Sequence, residues 1–428
     1  MKYKALSSKL YIKNRAKFSK LIPKSSLAIF HSNDEMPRNG DAFFKFRQNS
    51  DLFYLSGIDQ EQTILLLCPN APIKAYREVL FVRQTNEHIA IWEGHKYTKE
   101  EARAASGIET ILWTSEYNKV LDLLMHHSSE VYVNMNENDR YVSDVEYRDL
   151  RFARQLKNKY PAHTYHRSGP LMANIRVCKE SEEIQQMKEA ISITEKAFRG
   201  VLSFVKPGVK EYEIEAIISH EFLRNRATGH AYSPIIASGK NACVLHYVDN
   251  NQKCNDGEII LMDFGAEYGN YAADLSRSIP VNGKFTKRQK DVYNAVHRVM
   301  KAATKMLIKG NTLEKYEKEV GQIMTEELIG LKLLDRGAVK KQNPELPLYK
   351  KYFMHGTSHF LGLDVHDIGN RYEPMKSGMV FTVEPGIYIP EENLGIRLEN
   401  NILITEKSNT DLMASIPVDA DEIEKLMK

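Results

Sequence analysis

The chain has 428 residues, of which 42% are hydrophobic and 27% are charged, as is typical of a soluble globular protein with two domains. A formal net charge of +3 is nearly balanced and indicates neither a nucleic-acid partner nor an acidic membrane partner. The four cysteines form no CxxC pair, and no signal sequence or apolar run of about 18 residues is present, so we expect a cytoplasmic protein with reduced thiols.

The N-terminal part of the chain alternates predicted strands with predicted helices, which favours an α/β domain. The predicted elements are strands at 62–69, 77–83 and 129–135 and helices at 98–106 and 151–159. Ser168-Gly169-Pro170 predicts a turn, and we expect the domain boundary near it. The resulting domains are 1–172 and 173–428.

Helix-capping signals mark the helices of the second part. Ser181, followed by two acidic residues, predicts the start of a helix that Pro207-Gly208 ends. Another helix is predicted from about Tyr212. Thr286 and Gln289 have the spacing of a capping box and predict a further helix start. The segments between and after these helices are predicted to be strands and turns.

Gly269-Asn270 predicts a two-residue hairpin turn. The predicted register pairs Tyr268 with Tyr271, Gly265 with Asp274, and Asp263 with Ser276. Asp263 and Asp274 then lie diagonally on one face of the hairpin, with Cβ atoms roughly 7–8 Å apart or somewhat less. Because two bare carboxylates on one face would repel each other, we expect a cation between them.

Three further ligand-type side chains interrupt apolar stretches near the C-terminus. They are His359 in HGTSHFLGLDVHD (355–367), Glu384 in TVEPGIY (382–388) and Glu399 in GIRLENN (395–401). Together with Asp263 and Asp274 they make an oxygen-rich set that suits two Mn²⁺ ions, with Co²⁺, Fe²⁺ or Zn²⁺ as competitors. The sequence therefore predicts a two-metal hydrolase.

Two other motif interpretations fail. Asp263-Phe264-Gly265 matches a kinase magnesium motif, but the Gly-rich loop, strand lysine and His-Arg-Asp loop of a kinase do not precede it. His355 and His359 have the spacing of a helical zinc motif, yet Gly-Thr-Ser between them predicts a loop and the motif glutamate is missing. We therefore assign metal to His359 only and expect His355 to hydrogen-bond locally or to contact substrate.

The metal-ligand set of the pita-bread metallopeptidase family, which includes aminopeptidase P, prolidase and methionine aminopeptidase, is similar to the ordered set Asp263, Asp274, His359, Glu384 and Glu399. The resemblance covers residues 173–428 and implies an α+β pita-bread domain, with helices flanking a curved antiparallel sheet that carries the ligands. The runs at 49–57 and 91–94 resemble the creatinase/prolidase-like α/β domain that precedes this fold in aminopeptidase P. Trp92 is expected in the core; the alternative is an aromatic wall lent by a neighbouring subunit, as in relatives.

The resemblance also implies roles for individual residues. Asp263 and Glu399 resemble ligands of one metal and His359 and Glu384 ligands of the other, with Asp274 and Glu399 bridging both. Glu384 would move the proton of an attacking water, while His246 and His366 would act on the substrate without holding metal. The implied substrate-binding residues are His355, Arg397 and Tyr388. Glu399-Asn400-Asn401 departs from relatives that carry a further acid after the ligand glutamate. This difference should change the hydrogen bonds around the ligand, but it removes no metal ligand.

The resemblance implies the activity of an Xaa-Pro aminopeptidase, whose substrate is a peptide with N-terminal Xaa-Pro. It also implies a homodimer or homotetramer. Prolidase is the alternative, but the link from His366 to Met379 contains Arg371 as its only arginine and is too short for the arginine-bearing loop of some prolidases. Retention of all five ligand-type residues disfavours a non-catalytic pita-bread domain that binds peptides or proteins. It also disfavours creatinase, a metal-free enzyme with the same fold.

Overall fold

The computed structural model describes residues 3–138 and 143–428. These residues fold into two compact units, Ala5–Arg176 and Val177–Lys428, and Tyr3 and Lys4 belong to the second. The division predicted after residue 172 falls within the helix Gly169–Arg176. Gly169 and Pro170 therefore begin a helix and do not form the predicted turn. Proline is tolerated there because the amides of a first helical turn have no intrahelical partner.

The N-terminal unit is built on a six-stranded mixed sheet of order β6-β5-β4-β1-β7-β8. The strands of the N-terminal unit, of which β2 and β3 pair outside this sheet, are β1 (Ser26–His31), β2 (Pro37–Asn39), β3 (Ala42–Phe43), β4 (Ile64–Leu67), β5 (Glu78–Val82), β6 (Thr110–Trp113), β7 (Glu130–Val133) and β8 (Thr164–Arg167). Its helices are α1 (Ser8–Ser19), α2 (Ser50–Ser56), α3 (Glu87–Glu93), α4 (Lys99–Ser106), α5 (Tyr117–His126), α6 (Arg148–Lys159) and α7 (Gly169–Arg176). The predicted strands correspond to β4, β5 and β7, and the predicted helices to α4 and α6, which confirms the α/β assignment.

The expectation that Trp92 lies in the core is wrong. Trp92 is on α3 and is 78% exposed, and its neighbour Ile91 is 79% exposed. This short helix has no buried residue. A hydrophobic residue type alone does not place a side chain in the core, because much of a protein surface is apolar.

The C-terminal unit surrounds short antiparallel sheets with helices. Its helices are α8 (Ser181–Phe204), α9 (Glu211–Arg224), α10 (Lys287–Met306), α11 (Leu313–Gly330), α12 (Arg336–Lys340) and α13 (Ala420–Leu426). Its strands are β9 (Gly229–His230), β10 (Ile235–Ser238), β11 (Ile259–Phe264), β12 (Ala266–Tyr268), β13 (Tyr271–Ala272), β14 (Leu275–Pro280), β15 (Val380–Val383), β16 (Gly386–Ile389), β17 (Leu394–Arg397), β18 (Asn400–Ile404) and β19 (Asn409–Asp411). The sheet orders are β10-β11-β14, β13-β12-β9, β15-β18-β19 and β16-β17.

The capping predictions for these helices have different outcomes. Thr286 and Gln289 form the predicted capping box of α10. Ser181 is the first residue of α8 and not its N-cap. Glu180 is the cap, and its amide donates to the Glu183 carboxylate at 2.9 Å. A carboxylate accepts amide hydrogen bonds at a helix start as well as a hydroxyl does, so the sequence signal was displaced by one residue.

The predicted hairpin is confirmed. Gly269 and Asn270 both have positive φ, 58° and 66°, as a type I′ turn requires. Tyr268 pairs with Tyr271 and Asp263 with Ser276, in the predicted register. Gly265 approaches the neighbouring strand so closely that a Cβ there would lie 1.7 Å from the carbonyl oxygen of Ala273. The hairpin therefore fixes the separation of Asp263 and Asp274.

Within residues 3–138 and 143–428, every helix is too short or too polar to cross a lipid bilayer.

A buried ion pair fastens the segment that precedes α8. The Nζ of Lys179 lies 2.8 Å from the Asp367 Oδ2, and each side chain is 1% exposed. Lys179→Met removes the ammonium group that neutralises Asp367, and we expect the free energy of unfolding to fall by about 3–5 kcal/mol. Lys179→Met combined with Asp367→Leu should be less destabilised than Lys179→Met alone, since no buried charge remains. Urea denaturation followed by circular dichroism measures both.

The matched control is Lys309→Met, which breaks an ion pair with Glu406 whose side chains are 52% and 68% exposed. It should cost at most about 1 kcal/mol. Equal losses for Lys179→Met and Lys309→Met would contradict the prediction.

Candidate metal centre

The ends of two antiparallel strand pairs deliver the predicted ligands to one place. Asp263 lies at the end of β11 and Asp274 precedes β14, while Glu384 follows β15 and Glu399 precedes β18. The amide of Glu399 donates to the Ser276 carbonyl at 3.0 Å, which joins the two strand pairs at the site. His359 lies in the loop before β15, so Gly-Thr-Ser forms a loop as predicted. The amide of Glu384 donates to the Thr357 carbonyl of this loop at 2.9 Å.

Three of the five predicted ligands form a compact buried group. Asp274, His359 and Glu399 each offer one ligand atom, and these atoms all lie within 4.8 Å of one another. Their exposed fractions are 4%, 6% and 1%. Residues that are far apart in the sequence thus present two carboxylates and one imidazole to a single point.

The other two predicted ligands adjoin this group and are partly exposed. The Nε2 of His359 lies 3.4 Å from the Asp274 Oδ2 and 3.4 Å from the Glu384 Oε1. Asp263 joins through Tyr232, whose hydroxyl lies 2.6 Å from the Asp263 Oδ1 and also contacts the Asp274 Oδ1. The structure therefore brings all five together.

Tyr232 is a site residue that sequence reasoning missed. It lies between β9, which pairs with β12, and β10, which pairs with β11, so it faces the strand that bears Asp263. No motif surrounds it, and only the strand pairing could have revealed it. Its single proton can satisfy one of the two carboxylates, and burial raises its pKa well above the ordinary value, so it stays a hydroxyl.

Burial shifts the titration of the acidic residues. Desolvation raises the pKa of Asp274, raises that of Glu384 to about 7, and raises that of Glu399 well above its usual range. Burial lowers the pKa of His359, but its hydrogen bonds to Asp274 and to the Phe360 carbonyl, together with the charges of Glu384 and Asp274, outweigh this and the net shift is upward. Burial and the neighbouring negative charges therefore both oppose ionisation of these carboxyl groups.

Arg397 is a buried cation within the site. Its Nη2 donates to the Asp263 Oδ2 at 2.7 Å and its Nε to the Ser276 hydroxyl at 2.9 Å. That hydroxyl donates in turn to the Glu399 Oε2 at 2.7 Å. The Nη1 donates to the Tyr388 hydroxyl at 2.9 Å. Arg397 thereby orients two of the predicted metal ligands.

His355 hydrogen-bonds locally, one of the two outcomes predicted for it. Its Nδ1 donates to the Gly356 carbonyl at 2.7 Å, and its Nε2 lies 2.7 Å from the Tyr388 hydroxyl. Because Tyr388 accepts from Arg397, its own proton goes to His355. Burial lowers the pKa of His355 to about 3, so the ring is neutral. The three predicted substrate-binding residues, His355, Tyr388 and Arg397, form one hydrogen-bonded chain that ends on Asp263.

His246 and His366 are both exposed and lie beside this group. The His366 ring meets the His359 ring edge to face, with centroids 4.5 Å apart. His246 precedes Tyr247, which shares an apolar cluster with Tyr388, the hydrogen-bond partner of His355. Both positions suit side chains that act on a bound molecule.

The side chains of the two asparagines after Glu399 hydrogen-bond to groups other than the site carboxylates. The Asn400 Oδ1 accepts from the Arg277 Nη2 at 2.8 Å, and the Asn400 Nδ2 donates to the Asp411 Oδ2 at 2.7 Å. Asn401 instead exchanges hydrogen bonds with the backbone of Asp274, at 2.7 Å and 3.2 Å.

The site residues fit divalent metal ions. Four carboxyl groups face one guanidinium and one imidazole, so the group is negative when all four are ionised, even with His359 protonated. Carboxylate oxygens with a single imidazole form a donor set typical of hard or borderline divalent ions. A cation would offset both the burial and the mutual repulsion that raise the carboxyl pKa values.

Two family models match the chain. Metallopeptidase family M24 matches residues 185–406, and the N-terminal domain of aminopeptidase P matches residues 11–132. Together they confirm an α/β domain followed by a pita-bread domain.

Curated relatives match almost the whole chain. The Xaa-Pro aminopeptidase of Haemophilus influenzae is 33% identical over 96% of this chain and 95% of its own length. That of Escherichia coli is 35% identical over 94% and 93%. A solved structure of zinc-substituted E. coli aminopeptidase P in complex with product is 32% identical, covers 99% of each chain and has a TM-score of 0.87. The buried group of carboxylates and imidazole, on a chain that matches these proteins throughout, belongs to a member of metallopeptidase family M24.

Proposed function

We propose that the protein is an Xaa-Pro aminopeptidase, which releases the N-terminal residue of peptides that have proline second. The observation that carries the proposal is the buried group of Asp274, His359 and Glu399, adjoined by Asp263 and Glu384. It lies in a chain whose full-length relatives bear that name. Such peptide bonds need a dedicated enzyme because proline fixes φ and lacks an N–H.

Two divalent metal ions, with Mn²⁺ preferred, would be held by the five ligands. Asp263 and Glu399 would hold one, His359 and Glu384 the other, and Asp274 and Glu399 would bridge them. Asp274 is linked to Asp263 through Tyr232 and lies 3.4 Å from His359, and Glu399 offers a ligand atom within 4.8 Å of both Asp274 and His359, which supports this division. When bound, the metals supply Lewis acidity and lower the pKa of a bound water.

The residues of the chain would then perform the proton transfers and hold the substrate. Glu384, partly exposed and with a pKa raised to about 7 by burial, is suited to accept and return a proton near neutral pH. His246 and His366 would donate hydrogen bonds to the substrate carbonyl oxygen as negative charge develops there.

A cytoplasmic location and assembly as a homodimer or homotetramer stay predictions. The exposed side chains of Ile91 and Trp92 support self-association.

Replacing a bridging carboxylate should remove metal and activity together. Asp274→Ala and Glu399→Ala should each retain at most one metal ion per chain and hydrolyse Xaa-Pro peptides very slowly, because each side chain would contact both ions. Elemental analysis of dialysed protein measures the metal. The control Glu392→Ala removes a carboxylate that pairs with Arg288 outside this group and should keep full occupancy. Two ions per chain in Asp274→Ala or Glu399→Ala would contradict the bridging assignment.

Replacing either exposed histidine should reduce activity and leave the metal content unchanged. His246→Ala and His366→Ala should lower kcat/KM by roughly 10²-fold, the size expected when a hydrogen-bond donor to a developing oxyanion is lost. His126→Ala, in the N-terminal unit, serves as the control and should match the unmodified protein. Loss of metal in a variant would show that its histidine is a ligand.

Four peptides with the same first residue test the substrate class. Xaa-Pro-Yaa should be cleaved to free Xaa and Pro-Yaa, whereas Xaa-Ala-Yaa should be cleaved poorly. Acetyl-Xaa-Pro-Yaa should react roughly 10²-fold more slowly, because acetylation removes the charge and basicity of the α-amine. Mass spectrometry of the products measures all of these reactions. A strong preference for the dipeptide Xaa-Pro would instead establish prolidase, and cleavage of none by metal-loaded protein would indicate a binding protein.

A further inference from the structure

A buried carboxylate outside the metal centre collects hydrogen bonds from a single loop. Glu211, the first residue of α9, is 0% exposed. Its donors are the Ser238 amide at 2.8 Å, the Ser238 hydroxyl at 2.6 Å, the Tyr247 hydroxyl at 2.7 Å, the Gln252 amide at 2.8 Å and the Asn241 amide group at 3.5 Å. None of these donors carries a formal charge. The carboxylate is stabilised by hydrogen bonds, and all of its donors lie within residues 238–252.

These residues enclose a loop, 239–251, that is fixed at both ends. At one end, the Ser238 hydrogen bonds secure the end of β10. At the other, Asn250 donates to the Pro234 carbonyl and the Glu215 carboxylate, each at 2.9 Å, and accepts from the Ile236 amide at 2.9 Å.

The middle of this loop is held by packing of Ala242, Leu245 and Tyr247 in one small apolar cluster, and Tyr247 adds a side-chain hydrogen bond to Glu211. Val244 and Val248 are 53% and 52% exposed and His246 is exposed, whereas Tyr247 is 9% exposed. The Tyr247 ring belongs to a small apolar cluster that includes Leu261 and Tyr388. Burial raises the pKa of Tyr247 to about 12, so its hydroxyl remains a donor to Glu211 at any working pH. The Tyr247 hydroxyl is therefore the polar anchor of the loop tip.

His246 depends on this anchor. Its imidazole makes no hydrogen bond within the described residues, so the backbone of the loop sets its position. Its two neighbours in the chain, Leu245 and Tyr247, both pack in the small apolar cluster, and Tyr247 also donates to Glu211. A backbone held at this point keeps the loop tip against the cluster that contains Tyr388, the hydrogen-bond partner of His355.

We propose that Glu211 is a positioning residue which, through the Tyr247 hydroxyl, fixes the 239–251 loop and with it His246. The catalytic part of this inference rests on the proposed function, in which His246 acts on the substrate. Glu211 itself would contact neither substrate nor metal. The loop anchor can be tested separately from hydrolysis.

Tyr247→Phe removes the anchoring hydroxyl and keeps the ring. We expect kcat/KM for Xaa-Pro-Yaa to fall about tenfold, since small displacements of a catalytic group reduce rates by one to two orders of magnitude. In a His246→Ala background, Tyr247→Phe should cause no further loss, because its effect acts through His246. Independent, additive losses would overturn the link to His246.

A matched control separates positioning from stability. Tyr293 is buried and donates its hydroxyl to the Val418 carbonyl at 2.9 Å. Tyr293→Phe should lower the thermal midpoint about as much as Tyr247→Phe and leave kcat/KM unchanged. If both variants lose activity in proportion to stability, Glu211 has only a structural role and the proposal fails.

Amide hydrogen exchange tests the anchor without any substrate. Peptides that cover 239–251 should exchange faster in Tyr247→Phe and in Glu211→Gln than in the unmodified protein, and should not change in Tyr293→Phe. Unchanged exchange in Tyr247→Phe would overturn the proposal. If the unmodified protein does not hydrolyse Xaa-Pro peptides, the proposed function fails, and the exchange rates still decide whether Glu211 fixes the loop.

Discussion

The burial of closely spaced carboxylates, which lose their hydration and repel one another, is the constraint around which the C-terminal unit is built. Asp274 and Glu399 are almost fully buried, and Asp263 and Glu384 adjoin them. Removing such charges from water without compensation costs several kcal/mol each. The surrounding polar groups follow from this cost. Arg397 neutralises Asp263, the Ser276 hydroxyl satisfies one oxygen of Glu399, and Tyr232 contacts two carboxylates with one proton.

Three further acidic residues secure the loops that bear the site histidines, each in a different way. Asp367, next to His366, pairs with buried Lys179. Glu317 on α11 accepts from both the amide and the hydroxyl of Thr357, between His355 and His359. Glu211 is satisfied by uncharged donors around His246. Rigid supports of this kind hold catalytic side chains in place before a substrate arrives, which lowers the entropic cost of reaction.

The sequence predicted the parts of this architecture that depend on neighbouring residues. The Gly269-Asn270 turn determined the register of Asp263, and the pair Thr286 and Gln289 marked the start of α10, because both signals act within a few residues. The metal ligands were identified because their residue types and their order along the chain resemble those of a known family. Interactions between distant segments were not predictable in this way.

Tyr232 reaches the carboxylates only after two strands have paired, and Arg397 finds Asp263 across the folded unit. Glu211 is an acidic residue at a helix start, where the sequence alone indicates an exposed first turn and not a buried anchor. Trp92 shows the opposite error, since a large aromatic residue does not by itself specify burial. The close approach of Gly265 to Ala273 likewise needs the paired strands to be seen.

The hairpin between Asp263 and Asp274 also limits how this site can change over evolutionary time or by design. Side chains alternate between the two faces of a strand, so one inserted or deleted residue would turn one carboxylate away from its partner. The turn of the hairpin consists of two residues with positive φ, so it cannot accommodate an added or missing residue without changing the strand register. Substitutions that tune metal preference can be tried at the surrounding positions, whereas the number of residues between Asp263 and Asp274 must stay the same.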